Sequence, residues 1–567
     1  MPYVLLLDDP DRAGGTLLQD AADDGTPDGP PRRVPARDLP AAVARAEADR
    51  PRWVWDDTAR RYPPLLRAGV RVERCHDLRL CHTILRRSAY GAGSDLARAP
   101  RGPWDDQRPD EPPPTEPDLL DELTLLDDRG DGPVPAHDAV DAPLDVADEL
   151  ARQLAAVAGS TQPGRLRLLL AAESTGALIA QEMRHDGMPW DVTVHDALLT
   201  DLLGPRPRGG GRPARLEALV ARIREELVQP TLNPDSQPDL LRGLRLAGFD
   251  VASTSKWEIR GIDHPVRDVL LEYKTLSRLL SANGWAWMDT WIHDGRFRPE
   301  YVPGGVVSGR WATSGGGALQ LPAAVRAAVR ADDGWRLVVA DAAQLEPRVL
   351  AAMSGDGAMA AAGRQADLYQ GVVDAGIVAT RSDAKYAMLG AIYGATTGAS
   401  AALMPQLTRA YPQAVALVEA AARAGERGEA VTTWLGRSSP TPDAAWQAEL
   451  SAASAEGAAA EDVRAVRRRA RDWGRFTRNF VVQGTAAEWA LCWMASLRRR
   501  LRDVPGRPHL VFFLHDEVMV HSPAPVAEEV AQAVRDAAVE AGRLLFGDTP
   551  VDFALDVSVV ESYDQAK

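Results

Sequence analysis

Apolar and polar positions change rhythm along the 567 residues. Near the N-terminus the apolar residues come in short unbroken runs, YVLLL and PRWVWD, which read as strands, and RYPPLLRAGV reads as a helix. Pro, Asp and Ala dominate the loops between them up to about residue 165, and the stretch from Gly102 to Ala142 reads as a long connector. From RLRLLLAAESTGALIAQEMRHDG onward the period becomes helical and continues through PDLLRGLRLAG and HPVRDVLLEYKTLSRLLSANG, which predicts a helical domain. The turn-rich YVPGGVVSGRWATSGGGALQLP then leads into an apolar strand, WRLVVAD, whose run stops at Asp341. Helices follow to about Trp489. VFFLHDEVMVHS reads as two short strands meeting at His515, Asp516 and Glu517, and ALDVSVVES as a closing strand. No internal repeat is evident.

Arg381, Lys385, Leu389 and Tyr393 recur at intervals of four in RSDAKYAMLGAIYG, so on a helix they form one slowly winding stripe of two cations, an apolar residue and a phenol. Such a face suits a flat, phosphorylated ligand. Gly394 follows, where the chain can leave the helix. The stripe lies between the two strand patterns that end in Asp341 and at Asp516. Neighbouring strands could bring those two carboxylates together, and hard divalent cations such as Mg²⁺ are held by one or two carboxylates plus substrate phosphates. The bland alternative is that each acid only faces solvent at a strand end.

Composition narrows the classes. A chain of this length exceeds one core and divides into about three or four domains. Apolar residues make up 45% and charged residues 26%, and no apolar run approaches the ~18 residues of a membrane span. The N-terminus MPYVLLLDDPDR lacks the basic start of a secretory signal, so a cytoplasmic location is expected. Cys75, Cys81 and Cys492 are too few for a disulfide scaffold. CHDLRLCH lacks the paired halves of a zinc site and reads as packed cysteines beside surface histidines. The formal net charge of −15 hides an asymmetry: acids crowd the N-terminal third, while RAVRRRARDWGRFTRN and SLRRRLR lie in the C-terminal half. Of 65 basic residues only Lys256, Lys274, Lys385 and Lys567 are lysines. An ammonium at the centre of the stripe therefore stands out, because lysine can exchange a proton where arginine cannot.

The order DAAQLEPR, R-x₃-K-x₇-YG, HDEV resembles motifs A, B and C of the family A DNA polymerases, the DNA polymerase I type. TLNPDSQPDLLRGL, SGRWATSGGGALQLP, VTTWLGRSSP and RFTRNFVVQGTAAE resemble further family segments in the same order, so the likeness runs from about residue 168 to the C-terminus. It implies an α+β multidomain fold, a right-hand polymerase with thumb, palm with an antiparallel sheet, and helical fingers, preceded by an α/β exonuclease-like domain. The corresponding segments are 1–165 for the exonuclease-like domain, 166–325 for the thumb and lead-in to the palm, 326–360 with 490–567 for the palm, and 361–489 for the fingers. The implied activity is template-directed DNA synthesis from dNTPs on a primer-template by a nucleoid-associated monomer. Two Mg²⁺ ions per site are implied, with Mn²⁺ a possible substitute.

Carried over by position, the resemblance makes Asp341 and Asp516 metal ligands, with the Ala342 carbonyl a further one, and Glu517 a support for the catalytic end. Arg381 and Lys385 would hold the triphosphate, and Lys385 could protonate the leaving pyrophosphate. Tyr393 and Glu346 would wall off a 2′-hydroxyl, with Gln344, Tyr369 and Leu389 also lining the dNTP site. Arg310, Gln320, Arg475, Asn479, Gln483 and His515 would follow primer and template in the minor groove.

Departures from the family pattern are several. Ala342 and Ala343 replace an aromatic and a serine, Pro347 follows Glu346, Met388 and Leu389 replace Asn and an aromatic, and Tyr369 replaces a histidine. Leu389 predicts weaker stacking and altered tolerance of dideoxynucleotides. In the N-terminal third RYPPLLRAGVRVERCHDLRLCHTILRR resembles the middle of a 3′ to 5′ exonuclease, with Asp77 at an acidic position. VLLLDDPDR lacks the Asp-x-Glu, PRWVWDD lacks the Asn-containing turn, and His137-x₃-Asp141 is too common a pattern to count, so a degenerate domain without proofreading is expected. A single-subunit RNA polymerase and a polymerase-derived DNA-binding module are the competing readings.

Overall fold

The computed structural model describes residues 3–12, 14–106, 144–364, 367–394, 398–443, 445–446, 448–449 and 460–566. The chain forms two compact units, one of residues 1–186, 299–315 and 338–559, the other of residues 187–298, 316–337 and 560–567.

The first unit begins with a five-stranded sheet built from β1 (Tyr3–Asp8), β2 (Thr16–Ala21), β3 (Pro27–Val34), β4 (Arg52–Trp55) and β5 (Arg74–Asp77), in the order β3-β2-β1-β4-β5. β1 pairs parallel with β4 and β4 with β5, whereas β1, β2 and β3 form an antiparallel meander. Alternate residues of the central strands enter two different cores: Val4, Leu6, Trp53 and Trp55 one, Leu5 and Val54 the other. A strand covered on both faces needs an apolar residue at every position, and that is why YVLLL and RWVW read as unbroken runs. β3, PDGPPRRV, is exposed along nearly its whole length. Its prolines and arginines suit an edge strand, and with no buried face it leaves no periodic trace in the sequence.

Three expectations for this region need correction. Pro103–Asp106 form a 3₁₀ turn that buries Trp104, so the connector does not begin at Gly102; residues 107–143, with His137 and Asp141, lie outside the described residues. His76 and His82 are buried, not on the surface. His76 Nε2 lies 2.8 Å from the Gln153 side-chain oxygen and His82 Nδ1 2.7 Å from Glu149, both partners on the helix Val146–Ala158, whose position the sequence alone did not reveal. Burial pushes the His76 imidazole down to about 4.

The acids of the sheet are matched by arginines. Asp8 accepts from Arg60 at 3.0 Å and Arg61 at 2.6 Å, Asp56 from Arg61 at 2.7 Å, and Asp57 from Arg79 at 2.9 Å. Asp77 is fully buried and its two carboxyl oxygens accept the backbone N–H groups of Thr58 (2.8 Å) and Leu80 (3.0 Å), so it caps the helix Leu78–Arg87.

Helix Pro163–Asp186 packs on this sheet. Its Glu182 accepts Nε and Nη2 of Arg498, each at 2.8 Å, and the Tyr62 hydroxyl at 2.6 Å. Arg498 also donates to the carbonyls of Val72 (2.6 Å) and Glu73 (2.7 Å). A buried arginine is tolerable only when its donors are filled in this way. Arg499 and Arg500 pair with Glu540. Of the arginines in SLRRRLR, then, only Arg498 is buried, while Arg499 and Arg502 are exposed.

The second unit holds β6 (Met188–Pro189), β7 (Ile292–His293) and β8 (Arg296–Phe297), in the order β6-β8-β7, and the helices Val192–Leu203, Ala214–Glu226, Gln237–Leu246, Lys256–Arg260, Val266–Asn283 and Trp285–Trp291. This is the later part of the helical stretch the periodicity predicts; its first helix, Pro163–Asp186, belongs to the first unit. Trp190, His195, Trp287 and Phe297 form its aromatic centre.

The chain then makes the antiparallel pair β9 (Glu300–Val302) and β10 (Ala312–Gly315). A four-stranded sheet follows, built from β11 (Trp335–Ala342), β12 (His509–Leu514), β13 (Glu517–Pro523) and β14 (Leu555–Val560), in the order β12-β13-β11-β14. Against it lies one helix of 42 residues, Ala460–Leu501. The expected helical limit at Trp489 is thus three turns short: the apolar side of the helix continues through Trp493, Met494 and Leu497. No helix among the described residues is long and apolar enough to cross a membrane.

Candidate active site

The end of β11 and the turn between β12 and β13 meet. Leu514 and Glu517 pair across the hairpin, which leaves His515 and Asp516 as a two-residue turn. His515 takes φ 56, a left-handed conformation that costs a side-chain-bearing residue about 1 kcal/mol or more and is kept where the surroundings demand it. The Ala342 N–H donates to the Asp516 carbonyl at 2.9 Å, so the backbones of the two acid-bearing segments are in direct register. Burial, then Asp341, then Glu346 push the Asp516 carboxyl up to about 7. Three carboxylates are close enough to repel one another, which is what a cation would relieve.

Helix Arg381–Tyr393 supplies the facing wall. The Thr380 hydroxyl caps it by accepting the Asp383 N–H at 3.1 Å, and Gly394 ends it at φ 71, its N–H reaching the Gly390 carbonyl at 2.9 Å. A Cβ on Gly394 would stand 3.0 Å from the Arg478 guanidinium, so the residue is glycine for its angle and for its neighbour. Ala384, Ala387, Met388, Ala391 and Ile392 bury one face. Arg381 and Lys385 are exposed on the other, with Leu389 and Tyr393 half-buried. The predicted stripe is formed.

Tyr393 closes on the acids. Its hydroxyl donates to Glu346 at 3.2 Å, and the same oxygen accepts Arg310 at 2.9 Å. Burial and then Glu346 push the Tyr393 phenol up to about 12, and Gln483 is a further hydrogen-bond partner. Tyr369 is buried beside them, raised by burial and then by Glu346. Arg381 stands over the Tyr369 ring at 5.6 Å and is hydrogen-bonded to Asp367. Gln344, at φ 52, begins the helix Leu345–Ser354, and its side-chain oxygen accepts the Leu368 N–H at 3.0 Å.

The remaining predicted residues divide. Gln483 and Asn479 are buried on the long helix, and the Asn479 side-chain oxygen has no hydrogen-bond partner among the described residues. Arg475 pairs with Asp472 one turn away. Glu517 is buried at the start of β13, and His515 is exposed. Gln320 lies on the 3₁₀ turn Ala318–Gln320 of the second unit.

Sequence reasoning passed over Asp367, which fixes Arg381, and Arg348. Buried Arg348 donates to the carbonyls of Ala343 at 2.7 Å and Asp552 at 2.6 Å, and so ties down the backbone that follows Asp341. Its signal was visible in LEPRVL, where a charge falls on the buried face between Leu345 and Val349.

Among the described residues no group of three or more His, Cys, Asp or Glu is placed to hold an ion. Two carboxylates converging on one point, with exposed cations opposite, fit a divalent ion that takes its other ligands from a phosphorylated substrate.

A four-stranded sheet thus carries paired acids at its strand ends, beside a helix of cations and a phenol. Residues 248–565, more than half of the chain, match the family model DNA polymerase family A, and the chain belongs to that family. It is similar to the DNA polymerase I of Chloroflexus aurantiacus, 26% identical over 361 residues, covering 59% of this chain and 36% of that protein. It is also similar to the thermostable DNA polymerase I of Thermus filiformis, 27% identical over 414 residues, covering 67% of this chain and 46% of that protein. The chain thus spans less than half the length of these curated relatives. The POL domain of Pol1 from M. smegmatis, solved in complex with DNA primer-template and dNTP, shares the fold at a TM-score of 0.67 and 17% identity, over 99% of this chain and 95% of that one.

Proposed function

We propose that the chain is a template-directed DNA polymerase that adds deoxynucleotides to a primer 3′ end. The observation that carries this reading is the junction of Asp341 and Asp516 beneath the Tyr393–Glu346–Arg310 cluster. In it, β11 to β14 act as the palm, residues 361–489 as the fingers, and the helices of residues 187–298 as the thumb. Arg381 and Lys385, both exposed on their helix, bind the triphosphate, and Lys385 protonates the leaving pyrophosphate. Asp341, Asp516 and the Ala342 carbonyl hold the metals. Bound Mg²⁺ supplies charge neutralisation at the attacking and leaving oxygens. Tyr393, fixed by Glu346, fills the space a 2′-hydroxyl would need, and Leu389 lies one turn before it as an apolar face for the base and sugar. Arg310, Gln320, Arg475, Asn479, Gln483 and His515 follow the primer-template, and buried Glu517 supports the turn that carries Asp516.

The N-terminal sheet performs no hydrolysis in this reading. Arg60, Arg61 and Arg79 occupy the oxygens of Asp8, Asp56 and Asp57, and those of Asp77 are spent on backbone N–H groups.

Primer extension with Mg²⁺ tests the assignment. Wild-type protein is expected to extend a matched primer with dNTPs and far less with ribonucleotides, and Asp341→Asn and Asp516→Asn to lose about a thousandfold or more. Extension that survives both substitutions sinks the catalytic assignment. Trimming of a mismatched 3′ end would show that the N-terminal sheet hydrolyses after all.

A further inference from the structure

Two glycines in the turn that carries Arg310 are packed against the two members of one buried ion pair. The turn is closed by the Gly305 N–H on the Val302 carbonyl (3.1 Å), the Gly309 N–H on Val306 (2.8 Å) and the Val306 N–H on Arg310 (3.1 Å). At Gly309, φ 89, a Cβ would stand 2.5 Å from Nε of Arg437, and at Gly304, φ 62, one would stand 2.7 Å from Oε1 of Glu173. Arg437 donates to the other Glu173 oxygen at 2.7 Å, and the two side chains are 10% and 1% exposed. Neither charge could stay buried without the other.

Arg437 is fixed from behind as well. The Leu435 N–H donates to Glu488 at 2.9 Å, the Ser88 hydroxyl to the Gly436 carbonyl at 2.7 Å, and the Ala89 N–H to the Ser438 hydroxyl at 2.9 Å. Glu173 supplies the remaining constraint, from the helix Pro163–Asp186. The guanidinium plane then lies on the bare backbone of Gly309, and the next residue, Arg310, reaches Glu346.

We propose that Glu173, by holding Arg437 against Gly309, is a positioning residue for Arg310 and through it for the Glu346–Tyr393 wall of the nucleotide site. This rests on the polymerase reading for its kinetic consequence and on the geometry alone for the mechanical link. Loss of the Glu173 charge lets Arg437 withdraw, the turn relaxes, and Glu346 loses its cation while the aspartates stay in place. The nucleotide binds worse, and the chemistry of bound nucleotide changes little.

Two readouts of one double-mutant cycle decide it. In steady-state extension, Glu173→Gln is expected to raise KM for dNTP on the order of tenfold with kcat within about twofold, and to have no further effect in an Arg310→Met background. In thermal unfolding the same pair should be non-additive by about 2 °C. A Glu173→Gln effect of equal size with and without Arg310, or a wild-type KM, overturns the proposal. If wild-type protein extends no primer, the polymerase reading fails, while the unfolding cycle still decides the link. Should Glu173→Gln not fold, Arg437→Lys enters the same cycle, since it keeps the charge but loses the flat contact with Gly309.

Discussion

Acids gather at the strand ends of both sheets in the first unit, and the two groups are treated in opposite ways. In the N-terminal sheet Asp8, Asp56 and Asp57 each face an arginine, and Asp77 is surrounded by N–H groups. In the C-terminal sheet Asp516 faces Asp341 and Glu346, and its carboxyl is held far above the usual range. The first arrangement gives each carboxylate hydrogen-bond partners within the protein, although burial still pushes the Asp77 carboxyl up to about 6. The second sets like charges beside Asp516, with Arg310 on Glu346 the cation nearby, and raises the energy of the ionised Asp516 carboxyl. Stability at one place and readiness for chemistry at the other come from what stands beside the carboxylate, not from the carboxylate itself.

The largest expected effect is at the N-terminal sheet. Arg61→Met takes from Asp56 and Asp8 the less exposed of the two arginines they share, Arg60 remaining on both, and since Arg61 and Asp56 are both nearly buried it should cost about 2 kcal/mol in denaturant unfolding. No trimming of DNA 3′ ends should accompany that loss. A variant of wild-type stability would mean that these pairs do not hold the sheet, and the contrast would fail.

The pH response should separate the two regions next. Buried His76 has a folded pKa of about 4, below its unfolded value, so its contribution is present above about pH 6.5 and lost as pH falls toward 4. Buried Glu488 is pushed up to about 7 by burial, so its contribution is present below about pH 4.5 and lost as pH rises toward 7. Each is worth roughly 1 kcal/mol per pH unit within its window. His76→Gln should flatten the acid limb of the stability curve and Glu488→Gln the neutral limb, both read from melting temperature against pH. Identical curves for the two variants would remove the distinction.

The smallest effect is a gain. In chelating buffer Asp516→Asn relieves like-charge repulsion and should raise stability by about 1 kcal/mol, seen as a melting temperature about 1 °C higher, in the same protein that loses extension. A fall in melting temperature would show that Asp516 is structural.

Much of this site was legible beforehand because its parts carry strong local patterns. WRLVVAD and VFFLHDEV are doubly buried strands, and a charge that interrupts such a run is conspicuous. The stripe of Arg381, Lys385, Leu389 and Tyr393 is visible because a helix repeats every 3.6 residues. What escaped depends on partners far apart in the chain. His76 and His82 looked like surface residues because Gln153 and Glu149, which bury and satisfy them, lie on a helix some seventy positions on. The partner of Arg437, Glu173, lies 264 positions earlier in the chain, beyond the reach of any local pattern. β3 has no pattern to read, since neither of its faces is covered.

The ionic knot of Arg498 with Glu182, Tyr62, Val72 and Glu73 also has a mechanical meaning. Helix Ala460–Leu501 is a single rod of about 60 Å, anchored at its C-terminal end to the N-terminal sheet and carrying Arg475, Asn479 and Gln483 near its middle. The same helix is also packed along its length on the helices Pro412–Glu426 and Ala527–Phe546, so the knot is one of several mounts for the residues it carries. The N-terminal sheet thus serves as one footing of that helix, and cutting it away would free the helix's C-terminal end.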